Sequence, residues 1–338
     1  MISTRTHRRR PAVSAAALAG ALALALSGCG SLGESTDDAS DEGGIDQLKI
    51  IVPADPGGGW DATGRAMQGV LQDNELVGNA QVVNVGAAGG TIGLAQLANE
   101  TEENTLMVMG LVMVGAVETN QSEVTLEDVT PVAELTEEAL IIVAPADSPY
   151  EDVNDLIEDQ GERGQGVSIA CGSAGGADHI LGGLLLQDAG IEPDSLNYIP
   201  YSGGGESLAA LLGGKVNAGI SGVAEYAPQV EDGKLKALGV SGEERSDLLP
   251  DVPTLAEQGV DVTLTNWRGV VAPGTIDDAK ADELTQLVTD MHETEDWTAV
   301  LEENAWADAF VTGDEFGAFM DEEIARVQQV LRDIGLVE

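Results

Sequence analysis

The chain alternates short apolar runs of strand character with stretches of helical period, and glycine-rich turns join several of the strand-to-helix steps. Residues 48–52 form the first β-type run, residues 61–71 a helix with Asp61 as its expected N-cap, and residues 81–85 a second strand. Residues 91–98 read as a helix, and residues 106–114 as a buried strand. Residues 140–144 are another strand, after which Ser148-Pro149-Tyr150-Glu151 has the pattern of a capping box and predicts a helix starting near Pro149. Further strands are expected at 167–170, 197–200, 218–221 and 235–240, separated by helical stretches such as 180–189 and 207–212. The Pro-rich passage from Leu249 to Pro253 precedes a short helix, and residues 263–271 read as a strand leading back. Residues 312–315 form a second capping box, followed by Phe316, Phe319, Met320, Ile324, Val327, Val330, Leu331 and Ile334 at helical spacing. This order predicts the α/β class, with largely parallel sheets covered by helices. It also predicts two lobes, 47–145 with 266–338 as the first and 146–265 as the second, so that the chain crosses between them near residues 145 and 266.

Ahead of this pattern lies a segment of another kind. Arg5, Arg8, Arg9 and Arg10 precede an apolar run at 12–26 that ends in Leu26-Ser27-Gly28-Cys29. The run is shorter than the ~20 residues of an ordinary membrane-spanning helix, and it reads as a signal peptide over residues 1–28. Leu-Ser-Gly-Cys resembles the lipobox of bacterial lipoproteins, which makes Cys29 the expected lipidation site; the plain alternative is an unlipidated Cys beside an ordinary cleavage site. Residues 29–46, with Glu34, Asp37, Asp38, Asp41 and Glu42 among serines and glycines, read as an acidic tether. The expectation is an exported protein, lipid-anchored to the outer face of the cytoplasmic membrane.

Charge narrows the partners. Lys plus Arg number 15 against 59 Asp plus Glu, a formal net charge of −44. Such a surface repels nucleic acid and anionic headgroups, so neither is an expected partner. The two cysteines are Cys29 and Cys171, and lipidation of the first leaves no disulfide to form. With His7, His179 and His292 as the whole histidine complement, no His-based metal site is expected, and nothing calls for a cofactor.

The chemistry resides in four turns. Each follows a β-type run and opens a helical pattern, so backbone N–H groups gather at helix N-termini, where carboxylate or phosphate can bind without Lys or Arg. In Pro56-Gly57-Gly58-Gly59-Trp60-Asp61, the amides of Gly58 and Gly59 are candidate donors, Trp60 either covers a ligand or packs at the helix entry, and Asp61 reads as a cap more readily than as a ligand contact. The second turn, Gly86-Ala87-Ala88-Gly89-Gly90-Thr91-Ile92-Gly93, lacks the G-x-G-x-x-G order of a dinucleotide site; its Gly89, Gly90 and Thr91 amides suit a carboxylate. The third brings Ser173, Ala174, Asp178 and His179 together and pairs Cys171 with His179, which allows a nucleophile reading or, with more to recommend it, a small buried thiol beside a capping or ligand-donating His. In the fourth, Tyr201 and Ser202 offer hydroxyls and Gly203 a backbone donor.

These residues carry a family resemblance. Ile51-Val52-Pro53 with Pro56-Gly57-Gly58-Gly59-Trp60-Asp61, Gly172-Ser173-Ala174-Gly175-Gly176 with Asp178-His179, Leu211-Leu212-Gly213-Gly214-Lys215-Val216 and Pro250-Asp251-Val252-Pro253-Thr254 together resemble the substrate-binding proteins of tripartite tricarboxylate transporters, the TctC or Bug family. The resemblance runs from about Leu48 to the C-terminus. It implies a type II periplasmic-binding-protein fold, two lobes joined by two crossover strands, and delivery of an organic acid to a membrane permease of one large and one small subunit. It also implies a binding site made chiefly of backbone amides and waters, on the loops matching residues 57–61, 86–93, 173–179 and 201–204. Two departures stand out. Many members have Asn-x-Pro-Gly-Ala-Gly-Gly in the second loop, where this chain has Asn84-Val85-Gly86-Ala87-Ala88-Gly89-Gly90, and Cys171 stands where related sequences often have Gly. Trp60 resembles the tricarboxylate branch and points to citrate-like acids.

The expected protein is therefore a monomeric carboxylate-binding lipoprotein, not an enzyme. A sensory protein of the same fold docking on a receptor kinase, or an extracytoplasmic Cys/His enzyme, are the alternatives. The acidity itself reads as a solubility adaptation to a saline habitat. Thermal unfolding in dilute buffer and in molar NaCl is expected to show stability rising with salt; a transition unmoved by salt would remove the habitat reading.

Overall fold

The computed structural model of the protein describes residues 44–172, 174–201 and 204–337. The expected signal peptide, Cys29 and the tether as far as residue 43 lie outside the described residues, as do Ser173, Ser202 and Gly203. Ile45 and Asp46, expected in the tether, instead open the first strand, because Ile45 and Leu48 are buried in its core.

The elements run β1 Ile45–Val52, α1 Gly59–Asp73, β2 Val77–Asn84, α2 Thr91–Ala98, β3 Thr105–Gly110, α3 Leu111–Thr119, β4 Val129–Glu137 and β5 Leu140–Pro145. They continue α4 Val153–Arg163, β6 Ser168–Cys171, α5 Ala177–Asp188, β7 Asn197–Pro200, α6 Gly204–Leu212, β8 Ala218–Gly222, α7 Val223–Glu231 and β9 Leu235–Val240. The chain closes with β10 Arg268–Pro273, α8 Asp278–His292, α9 Glu295–Asn304, β11 Ala307–Thr312 and α10 Gly313–Asp333. They build two sheets, one of order β11-β4-β10-β3-β1-β2 and one of order β7-β6-β8-β5-β9. This is the expected α/β class, but both sheets are mixed: β1 is parallel to β2 and β3, and β6 to β7 and β8, whereas β10, β4, β11, β5 and β9 pair antiparallel. Among the described residues no helix is long and apolar enough to cross a membrane.

Close packing explains several boundaries. Helix α1 buries Met67, Val70 and Leu71 and approaches β1 so closely that a Cβ on Gly64 would lie 2.4 Å from a Val52 methyl. Its N-cap is Gly58 rather than Asp61. The run at 106–114, expected as one strand, is β3 followed by α3: every residue of it is apolar, so it has no period to read, and the break falls at Gly110, where a Cβ would sit 2.3 Å from the Trp267 carbonyl oxygen. Helix α4 starts at Val153, not near Pro149, because Asp152 accepts from the Asn154 and Asp155 amides and caps it there. At Thr312 the N-cap position is as expected, but the side-chain cap bond is not made.

The chain passes between sheets twice, and the passages lie side by side. The first is at 138–139, since β5 pairs in the second sheet, so the transition expected near 145 comes earlier. The second, at 265–267, occupies part of the segment expected as strand 263–271. Ala139 and Thr265 form an antiparallel bridge, the Asn266 amide donates to the Glu138 carbonyl at 2.8 Å, and the Thr265 hydroxyl donates to Glu137 at 2.7 Å. At the far end of the chain, α10 also reaches the second sheet's helices, with Ile334 packed against Gly183 of α5.

Beneath α10, Glu134 of β4 is buried, and burial, aided by the Glu137 and Glu323 carboxylates, pushes its pKa up to about 8. Between about pH 4.5 and 8 the unfolded chain ionises this group while the folded chain keeps it protonated, so its effect is to lower stability as pH rises through that window. Glu134→Gln, which keeps the neutral shape, is expected to stabilise the fold at pH 8 by about 1–3 kcal/mol and hardly at all at pH 4, read by urea unfolding at the two pH values.

Candidate functional site

A cavity of about 790 Å³ is lined from both sheets and from the two crossovers. Its walls are the β1–α1 turn (Pro56 to Trp60), the β2–α2 turn (Ala87 to Gly90), Gly172 and Asp178 beside α5, Tyr201 and Ser207 at α6, and Glu138, Asn266 and Arg268 from the crossover region. Of the residues singled out in the sequence, Gly58, Gly59, Trp60, Gly89, Gly90 and Tyr201 line this cavity. Asp61, Thr91, Ala174 and His179 are not on its wall.

Asp61 has a scaffold role. Its carboxylate accepts from the Gly57 amide at 2.9 Å, Arg65 Nε at 2.9 Å and Asn84 Nδ2 at 2.8 Å. Burial alone would raise its pKa, but these three donors outweigh it and hold the group below its usual value. The bonds fold the turn back on itself, with Gly57 at φ 98, and Gly57 to Trp60, the turn and the start of α1, line the cavity. Trp60 is buried and lines the wall, and it also packs on Gly90, where a Cβ would sit 2.9 Å from its ring.

The second turn is strained. Ala87 has φ 137 and Ala88 φ 53, values that favour glycine. The Ala88 carbonyl accepts from the Thr91 hydroxyl at 3.0 Å and Asn120 Nδ2 at 2.9 Å, which ties the loop into this shape. Thr91 is thus occupied in holding the loop. Gly86, which stands where many relatives have Pro, lies against Asp55: a Cβ there would be 2.3 Å from the Asp55 carboxylate.

At the third turn the protein supplies its own carboxylate. Asp178 accepts from the Gly172 and His179 amides at the start of α5, whose N-cap is Gly176, and burial raises its pKa to about 6. His179 stacks on Tyr198 at 3.7 Å between ring centroids and accepts the Gly175 amide on Nδ1 at 3.2 Å. Burial lowers its pKa to about 4, so the ring is neutral at pH 7. An expected donor to ligand is here an acceptor for its own loop. Cys171 is buried, and burial with the nearby Asp178 charge pushes its thiol well up, the opposite of an activated nucleophile.

Reasoning from turns missed the crossover residues. Arg268 is 5% exposed and its Nη2 donates to Glu138, 6% exposed, at 2.7 Å. Its guanidinium lies under Gly59, where a Cβ would be 2.7 Å from Nη2, and 4.9 Å from the Trp306 ring centroid. Arg268 is the one cation among the described residues lining the cavity, which also carries the carboxylates of Asp55, Glu138, Asp178 and Glu225. The wall thus carries a guanidinium as well as the expected glycine turns. A polar residue inside an apolar strand, Arg268 before Gly269-Val270-Val271, was the available signal.

The family described as "Tripartite tricarboxylate transporter family receptor" matches residues 67–336. Protein BugT of Bordetella pertussis is 27% identical over 299 residues, covering 85% of this chain and 89% of that protein. Among solved structures, a TctC solute-binding protein from Polaromonas without ligand aligns with a TM-score of 0.68 and 25% identity over 85% of this chain and 98% of that one. MatC from Rhodopseudomonas palustris with bound malate aligns with a TM-score of 0.73 and 22% identity, over 85% and 99%.

Labelling of a Cys29→Ser variant with a thiol reagent is expected to be slow in the native state and fast only after unfolding; rapid native labelling of Cys171 would restore the nucleophile reading.

Proposed function

Because this chain belongs to the tripartite tricarboxylate transporter receptor family, we propose that it is an extracytoplasmic solute-binding protein that captures an organic di- or tricarboxylate in the cavity between its two sheets. Each sheet with its helices acts as one lobe, the paired crossovers are the hinge, and closure brings the turns of both lobes onto the acid. The observation that carries this reading is the convergence of the α1 and α2 N-termini and the buried Arg268 on one cavity. The malate held by the Rhodopseudomonas palustris protein of the same fold supports the ligand class, and Trp60 favours a citrate-like member of it. Cys29 would carry the lipid that keeps the protein at the membrane, and the closed form would be presented to a permease of one large and one small subunit. No chemistry is done on the acid: the inert Cys171 and the neutral, stacked His179 support a receptor over an enzyme.

Calorimetric titration of the purified protein with citrate, malate, succinate and glutamate at fixed ionic strength is expected to show tight binding of at least one di- or tricarboxylate. Silence across the panel would overturn the ligand class. Closure has its own check. Gly115 of α3 meets the third turn so closely that a Cβ would sit 2.0 Å from the Gly175 carbonyl oxygen. Gly115→Ala is expected to hold the lobes apart, weakening acid binding about tenfold or more and abolishing ligand-induced compaction in solution scattering; unchanged affinity would refute the mechanism.

A further inference from the structure

The turns explain how amides reach the cavity, but not why a charged side chain is buried against them. Arg268 places its guanidinium beneath Gly59, at the positive end of α1, with Trp306 stacked near it. Nη2 is used by Glu138, whereas Nη1 is fully buried and has no hydrogen-bond partner. The Asn266 amide oxygen, also on the cavity wall, is buried and unpartnered as well. Leaving a buried cationic donor unmatched is unfavourable, and native structures seldom do so without an absent partner. Glu138 does not supply it: one oxygen takes Nη2, and the other lies against Gly222, where a Cβ would be 2.3 Å away.

We propose that Arg268 contacts the captured acid, its Nη1 donating to an oxygen of one ligand carboxylate, so that ligand, Arg268 and Glu138 form a continuous carboxylate–guanidinium–carboxylate bridge beside the α1 amides. This deepens the carboxylate-receptor reading and rests on it. The guanidinium distinguishes a carboxylate from a neutral amide of the same shape more strongly than backbone amides do, because the bond is charge-assisted on both sides. It also ties the ligand to the crossovers, since Arg268 and Glu138 stand at their two ends.

The test uses the full chain and the panel acid that binds most tightly, with its monoamide as the control. Arg268→Lys keeps the charge but loses the planar fork; the double variant Arg268→Met with Glu138→Gln removes both charges and leaves neither one orphaned, so it folds if the pair has no other task. Both are checked by thermal unfolding before titration. We expect the folded variants to bind the acid at least tenfold more weakly, with a smaller loss for the monoamide, so that the acid-to-amide preference collapses. Folded variants that bind within twofold of wild type would overturn the proposal while leaving the receptor reading intact, as would equal losses for acid and amide, which mark a purely structural Arg268. A wild-type protein that binds no acid removes both.

Discussion

The buried ion pair between Glu138 and Arg268 is the constraint around which the molecule is arranged. Its two residues come from different passages of the chain, 130 positions apart, and meet where the sheets are joined. Taking two charges out of water is unfavourable unless geometry and further hydrogen bonds compensate, and removing one partner alone is strongly destabilising. The surroundings answer that demand. Gly59 gives way for the guanidinium and Gly222 for the carboxylate, so one glycine from α1 and one from β8 admit the pair, and Trp306 covers the cation. Neighbouring backbone bonds, from Asn266 to Glu138 and between Ser241 and Leu140, hold the passages in register.

Seen from this pair, the three consecutive glycines of the first turn have separate reasons. Gly57 adopts a positive φ so that its amide reaches Asp61, Gly58 caps α1, and Gly59 makes room for Arg268. The turn, the helix dipole and the guanidinium then act on the same volume. Against them stand four carboxylates on the wall, in a chain whose net charge is −44. In the proposed capture, attraction for an anion would therefore be short-ranged: it would depend on contact with a few donors, while the distant field opposes approach and is weakened by salt.

Much of this was legible from residue order. The strands 197–200 and 235–240 and the helix 91–98 were read with the bounds they have, because turn residues bracket them and their apolar content is concentrated. That the glycine turns would share one site is what the family resemblance implied, and residue order alone placed each turn at a strand-to-helix step. What escaped had physical causes. Residues 106–114 are apolar at every position and all but Val112 are buried, so neither period shows. In the first sheet the antiparallel pairs come with β10, which returns from the second passage to lie between β3 and β4, and in the second sheet with β5, which enters from the first passage; no local pattern announces either direction. Roles within the site were harder still: Asp61, Thr91 and His179 are polar groups beside glycine turns, and only their hydrogen-bond partners reveal that they serve the loops. The Glu138–Arg268 pair, 130 positions apart, follows no local spacing.

The strained second turn has a bearing on speed. Ala87 and Ala88 are held in left-handed backbone by Thr91 and Asn120, which belong to the fold itself, so the loop has its shape before any solute arrives. The entropy of ordering those donors is charged to folding instead of to each encounter. If the halves close over a solute as proposed, only their rigid swing would remain after collision, which would leave the rate of capture to diffusion and to the hinge.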